Sequence, residues 1–325
     1  MAWSDILGQE FVKRLWQTHL STGQVAGAYL LVGPDGVGKR RLALELARAL
    51  NCTASQKKPC DVCPTCGQIS RGTHPDVHVV LSSGASDQIK IDQIRHIIGR
   101  IALRPFSAAF QVVIIDGAER LTEEAANSLL KALEEPSAHT RFVLTTTRLS
   151  DCLPTIVSRC QLMRCHPLAH EAVQRILIEQ HSISHEVAEA GARLSGGSVS
   201  LALDLATRWT AYERLMARFA DERDPSWLAQ PLPETRQEVM QLLDGMMVWL
   251  RDLAVTAVAQ PGAAIQTAHE ASLRRQAKRL DIDRCLETAS ELVALRESVE
   301  QFVSPRLVAA IAREKWLSLV ESTRG

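Results

Sequence analysis

The sequence predicts an α/β core built on a parallel sheet, followed by a remainder that is all helix. Three observations carry this. Short apolar runs alternate with helical patterns through the first half, a glycine-rich loop joins the first run to a helix, and after about His166 the strand runs vanish. Such alternation implies parallel strands covered on both faces, because each crossover helix must pack back onto the sheet.

The apolar runs come in order. Tyr29-Leu30-Leu31-Val32 ends in Gly33, Val77-His78-Val79-Val80 follows, Val112 to Ile115 is the strongest and ends in Asp116, and Phe142-Val143-Leu144 is the fourth. A helix is expected from about Thr122. Thr122 can accept from its first-turn N–H groups, Glu123 and Glu124 suit the positive end of its dipole, and Pro136 stops it. Beyond His166, Glu171 to Glu179 and Glu186 to Leu194 read as short helices broken by Gly196-Gly197. From about Thr207 the pattern is helical throughout. Val239, Leu242, Leu243, Met246, Met247, Leu250 and Leu253 fall at helical spacing, and so do Leu292, Leu295, Val299 and Phe302. Such stripes are read as core packing. Ser304-Pro305 supplies a cap and a first-turn proline for a last helix through Leu319, while Pro231, Pro233 and Pro261-Gly262 read as loops.

Composition narrows the classes. Length suggests two or three domains, and 46% hydrophobic with 23% charged residues is ordinary for a globular chain with a sizeable core. With 37 basic and 37 acidic residues the net charge is zero, so any nucleic-acid contact is local or shared with partners. No stretch reaches the roughly 18 apolar residues of a spanning helix, and Met1-Ala2-Trp3-Ser4-Asp5 does not open a secretory signal, so a cytoplasmic protein without membrane contact is expected. Eight cysteines in a reducing compartment argue for metal ligands or buried thiols over disulfides.

Four motifs carry chemistry. Gly33-Pro34-Asp35-Gly36-Val37-Gly38-Lys39 follows a strand and opens a helix, as a phosphate-binding loop requires. There the glycines Gly33, Gly36 and Gly38 let N–H groups turn onto phosphates and Lys39 reaches the outer ones; the bland reading is a glycine-rich turn. The position after Lys39 should be Ser or Thr to hold Mg²⁺, and it is Arg40, which cannot ligate a cation. Asp116 stands where a second acidic motif belongs, although alone it could equally cap a helix; the next position, normally a glutamate that polarises water, is Gly117, and Glu119 is expected to point elsewhere. Cys52, Cys60, Cys63 and Cys66 form C-x7-C-x2-C-x2-C within one loop, which suits tetrahedral Zn²⁺, with Lys57 and Lys58 nearby to favour thiolates. The alternative is four metal-free thiols. No open ligand position is evident, so the site reads as structural; a DNA-contacting zinc module would want more basic residues. Ser158-Arg159-Cys160 shortly after the fourth strand is either a functional arginine or an ordinary surface one.

Together these residues resemble the bacterial clamp-loader family of AAA+ proteins over about the first 210 residues, and more loosely beyond. The resemblance rests on Ile6-Leu7-Gly8-Gln9-Glu10, Ala28-Tyr29-Leu30, the Gly33–Lys39 loop, the four cysteines, His74-Pro75-Asp76 and Ile91-Asp92-Gln93-Ile94-Arg95. It continues through Ala118-Glu119-Arg120-Leu121, the specific stretch Asn127-Ser128-Leu129-Leu130-Lys131-Ala132-Leu133-Glu134-Glu135-Pro136, and Ser158-Arg159-Cys160. It implies an AAA+ core over 1–165 with a zinc insertion at about 52–66, a helical lid over 166–207 and a helical collar over 208–325. Within the family, tau/gamma subunits hydrolyse ATP, and another type keeps only the arginine that reaches a neighbour's ATP. Arg40, Gly117 and Ser200, the last where the ATPases carry a sensor arginine, choose the non-hydrolysing type, as does an end near residue 325. The resemblance then implies structural Zn²⁺, no ATP hydrolysis in cis, and Arg159 as an arginine finger in trans. It also implies assembly with delta and tau/gamma subunits into part of the DNA polymerase III holoenzyme, and contact with the sliding clamp and primed DNA through that assembly. The competing readings are an active tau/gamma-type ATPase and a zinc-dependent DNA-binding module with a vestigial loop.

Overall fold

The computed structural model describes residues 3, 6–55, 58–84, 86–221, 231–258, 269–300 and 303–322. Lys57, Phe302 and Pro261-Gly262 lie outside them. The chain divides into two compact units, residues 1–182 with 195–201, and residues 183–194 with 202–325.

The first unit holds a five-stranded, all-parallel sheet of β1 (Ala28–Val32), β2 (Val77–Leu81), β3 (Gln111–Asp116), β4 (Thr140–Thr146) and β5 (Gln161–Arg164), in the order β2-β3-β4-β1-β5. The four apolar runs are the first four strands. The fifth was not expected: at the sheet edge only Met163 of its four residues is buried, so no apolar run announces it. Helices α1 (Glu10–Thr22), α2 (Lys39–Asn51), α3 (Pro64–Ser70), α4 (Ile91–Ile101), α5 (Glu123–Glu134), α6 (Pro154–Val157) and α7 (His170–His181) complete the unit.

Side chains alternate across the sheet and feed two cores, as strand geometry requires. Tyr29, Leu31, Val112, Ile114 and Val143 pack with Trp16 of α1 and Leu42 and Leu46 of α2. Leu30, Val113, Ile115, Phe142 and Leu144 pack on the other face with Ile94 of α4 and Leu129 and Leu133 of α5. Thr122 caps α5 as expected, its side chain accepting from the Ala125 N–H.

In the second unit, α8 (His185–Leu194) precedes α9 (Val199–Thr207), whose first turn belongs to the first unit. It continues with α10 (Trp209–Ala220), α11 (Arg236–Val258), α12 (Glu270–Ala277), α13 (Ile282–Glu300) and α14 (Pro305–Ser322). The expected stripe on α11 is core: Val239, Leu243, Met246 and Trp249 are fully buried, with Leu292 and Val299 of α13 and Val308 of α14 in the same cluster. The rings of Phe219 and Trp316 meet at 4.5 Å between centroids, tilted by 34°. The Trp249 N–H donates to Gln276 Oε1 at 2.8 Å, and the Gln276 amide donates to the Phe219 carbonyl at 2.9 Å, so the indole nitrogen enters the core satisfied.

Candidate nucleotide loop, cysteine site and arginine edge

Helix α2 connects two of the sequence motifs. Its N-terminus is the loop after β1. Gly36 and Gly38 take φ of +73° and +93°, which an L side chain rarely adopts, so the turn depends on glycine at both. The fold thus brings Gly33, Gly36, Gly38, Lys39 and Asp116 together at the C-terminal ends of β1 and β3, where α/β sheets bind ligands.

The loop's polar groups are turned on one another. Lys39 Nζ donates to the carbonyls of Gly33 and Pro34, each at 2.7 Å. Burial lowers the pKa of Lys39, against the pull of Asp35, Cys165, Glu119 and Asp116. Arg40 Nη1 stands 3.4 Å from Asp116 Oδ2, so a guanidinium faces the carboxylate that a magnesium site would use. Thr145, at the end of β4, donates to Asp116 Oδ1 at 2.7 Å and accepts from the Gly117 N–H at 3.0 Å. Glu119 Oε1 accepts from the N–H and hydroxyl of Thr147 at 3.3 and 3.2 Å. The first turn of α9 lies on the loop: the Val199 N–H donates to the Gly36 carbonyl at 2.9 Å, and a Cβ on Gly36 would come within 2.2 Å of the hydroxyls of both Ser198 and Ser200. Ser200 therefore touches the loop from the position assigned to a sensor arginine.

The other end of α2 runs into Cys52. Cys63 caps α3, Cys66 lies inside it, and the sulfurs of Cys52, Cys60, Cys63 and Cys66 all lie within 4.8 Å of one another. Four sulfurs at a zinc bond length of about 2.3 Å from one ion stand about 3.8 Å apart, so the donor set fits tetrahedral zinc. The N–H groups of Cys63 and Cys66 point at the sulfurs of Cys60 and Cys63, both at 3.4 Å. Burial works to raise the Cys63 thiol, but hydrogen bonds from the Cys66 N–H and from Thr53 outweigh it and bring its pKa to about 6. Burial and the neighbouring sulfurs push Cys66 up to about 12. A divalent cation at the centre would hold all four as thiolates.

An ion-pair network that sequence reading missed holds this loop. Arg48 of α2, 4% exposed, donates to the equally buried Glu45 at 2.7 Å and pairs with Asp61, between Cys60 and Cys63. The Trp3 indole donates to the Lys58 carbonyl at 3.1 Å. Cys152, Cys160, Cys165 and Cys285 stand apart from the cluster, and burial raises the pKa of each.

Arg159 lies between α6 and β5, on an edge away from the loop's own contacts. Its Nη1 donates to the Thr155 carbonyl at 3.1 Å and reaches Ser158 Oγ at 3.5 Å, and its Nη2 donates to Glu134 Oε2 at 3.2 Å. No pair to Lys39, Asp116 or any loop group is found among the described residues, so the structure does not bring Arg159 to the chain's own P-loop.

A family model described as "DNA polymerase III, delta subunit" matches residues 8–169. The tau subunit of DNA polymerase III from Salmonella typhimurium is 35% identical over 209 residues, 62% of this chain and 32% of that one. The delta' subunit from Bacillus subtilis is 37% identical over 177 residues, 54% of this chain and 53% of that one. The matches thus span about a third to about half of the relatives' own length. A solved gamma-subunit-related protein from Thermotoga maritima covers 92% of this chain and 99% of its own at 19% identity, with a TM-score of 0.47. The matched residues contain the P-loop, the four cysteines and Ser158-Arg159-Cys160 in order, and the chain belongs to the DNA polymerase III delta-subunit family of clamp-loader proteins.

Proposed function

We propose that the chain acts as a delta-prime-type clamp-loader subunit: a non-hydrolysing stator that lends Arg159 to the ATP site of a neighbouring tau/gamma subunit. The observation that carries this is the Arg40–Asp116 pair at 3.4 Å. Phosphoryl transfer rests on positioning and on neutralisation of developing charge by the metal. A guanidinium facing Asp116 opposes a divalent cation there, Gly117 offers no carboxylate to polarise water, and Lys39 is spent on its own loop. The domains would be the core over 1–165, the lid over 166–207 and the collar over 208–325. Zn²⁺ on Cys52, Cys60, Cys63 and Cys66 would be structural, supplying folding energy to the insertion. Delta, tau/gamma, the sliding clamp and primed DNA would be met in the assembled holoenzyme.

The chemistry asks for arginine at 159. It is charged at every working pH, and its planar fork can hold two oxygens of a γ-phosphate as charge develops on them. The test of the inert site is turnover: the isolated chain shows no ATPase above background, and Lys39→Ala changes nothing. Steady hydrolysis that Lys39→Ala abolishes would overturn the reading and restore the tau/gamma alternative, which the 35% identity to a tau subunit keeps in view.

A further inference from the structure

The stretch Asn127–Pro136, the most specific of the sequence motifs, has no part yet in the function. Its leucines explain only half of it: Leu129 and Leu133 are buried against the sheet. Glu134 is different. Its side chain is 60% exposed and it closes α5, where the negative end of the helix dipole disfavours a carboxylate. It nonetheless stands 3.2 Å from Arg159 Nη2, and that contact offsets the unfavourable position.

The remaining donors of Arg159 are constrained as well. Nη1 is turned back onto the Thr155 carbonyl and Ser158 Oγ, and Nε is buried and meets no acceptor among the described residues. Held this way, the guanidinium cannot offer two parallel N–H groups to a phosphate, and an adjacent carboxylate cancels its charge and repels an incoming anion. We propose that Glu134 is a positioning residue that parks the finger: it holds Arg159 against the end of α5 until the phosphates of a neighbouring nucleotide displace it. This rests on the reading of Arg159 as a finger in trans. The clasp is partly exposed, so it is weak enough to be broken by a polyanion and strong enough to bias a resting ring.

The test uses rings assembled from tau/gamma, delta and this chain, with ATPase measured with and without clamp and primed DNA. Glu134→Gln keeps the shape and removes the charge. It is expected to raise the unstimulated rate about two- to fivefold, the range an exposed ion pair supports, and to shrink the stimulation ratio by the same factor. A residue that merely supported α5 would lower both rates together and leave the ratio alone. Glu134→Gln,Arg159→Ala should fall to the Arg159→Ala rate. If Arg159→Ala slows the ring but Glu134→Gln leaves the unstimulated rate unchanged or lowers it, the parking role is overturned and the finger stands. If Arg159→Ala has no effect, both fall.

Discussion

The two ends of helix α2 make opposite use of the same scaffold. At its N-terminus the side chains that would meet a nucleotide and its metal are already engaged: Lys39 by two carbonyls, and Asp116 by Arg40 and Thr145. At its C-terminus four thiols lie within 4.8 Å of one another, a cluster that a metal would complete. On the proposed reading the first is a site that has lost its ligand and closed on itself, and the second a site that keeps one and is costly without it. If that reading holds, the difference teaches that a P-loop's shape can outlive its chemistry, because the shape depends on glycines and strand order, whereas the chemistry depends on a few side chains.

The largest effect that could break this comparison lies at the cysteine end. Cys63→Ser should reduce zinc from about one per chain toward zero and open the insertion to proteolysis, since structural zinc contributes on the order of 10–16 kcal/mol in small zinc modules. Metal analysis with thiol titration checks it. A metal-free chain that stays folded with four titratable thiols would contradict it.

A smaller effect follows at Arg48. Arg48→Ala removes the cation from beside the buried carboxylate of Glu45 and from Asp61 of the loop. Breaking such a buried pair costs about 3–5 kcal/mol. Denaturant unfolding should show it, with weaker zinc retention under chelator.

The smallest effect is a pH dependence. Burial holds His78 below its ordinary pKa, helped by Arg100; burial lowers His74 too, and its Nδ1 stands 3.1 Å from the Asp76 N–H, an acceptor role that suits the neutral ring. The unfolded chain therefore binds more protons than the native one below about pH 6.5, and stability should decline as pH falls through that value. Burial alone would raise the Asp76 carboxyl, but the N–H groups of Phe106, Ser107 and Ala108 outweigh it and hold it low. That contribution is present above about pH 3.9 and is lost as pH falls toward the native value. Thermal unfolding between pH 8 and 3 would show both arms, with His78→Gln flattening the upper one.

The parts legible in the sequence were those fixed by local spacing. The C-x2-C knuckles put Cys60, Cys63 and Cys66 within reach by geometry alone, the run ending in Asp116 announced its own strand, and Thr122 capped the helix its type suits. What was hidden depends on distant pairs. Strand β5 has a single buried residue and exists because β1 offers an open edge. Arg48–Asp61 and Arg159–Glu134 join residues whose spacing matches no helix or strand period, so no periodicity could mark them. Arg40 told that a metal was opposed, but not that Lys39 would turn back on its own loop.

The central claim is that this chain's chemistry is spent on a neighbour. Its most direct test is Arg159→Ala in the assembled ring, with folding, zinc content and assembly measured alongside. Arginine fingers contribute about 10³–10⁵ in rate in the best-studied nucleotide hydrolases, and one site among several in a ring shows less. The account predicts a clear fall in clamp- and DNA-stimulated ATPase and in clamp loading, poor rescue by Arg159→Lys, and an unchanged rate for isolated tau/gamma. Equal hydrolysis and equal loading by wild-type and Arg159→Ala rings would contradict it.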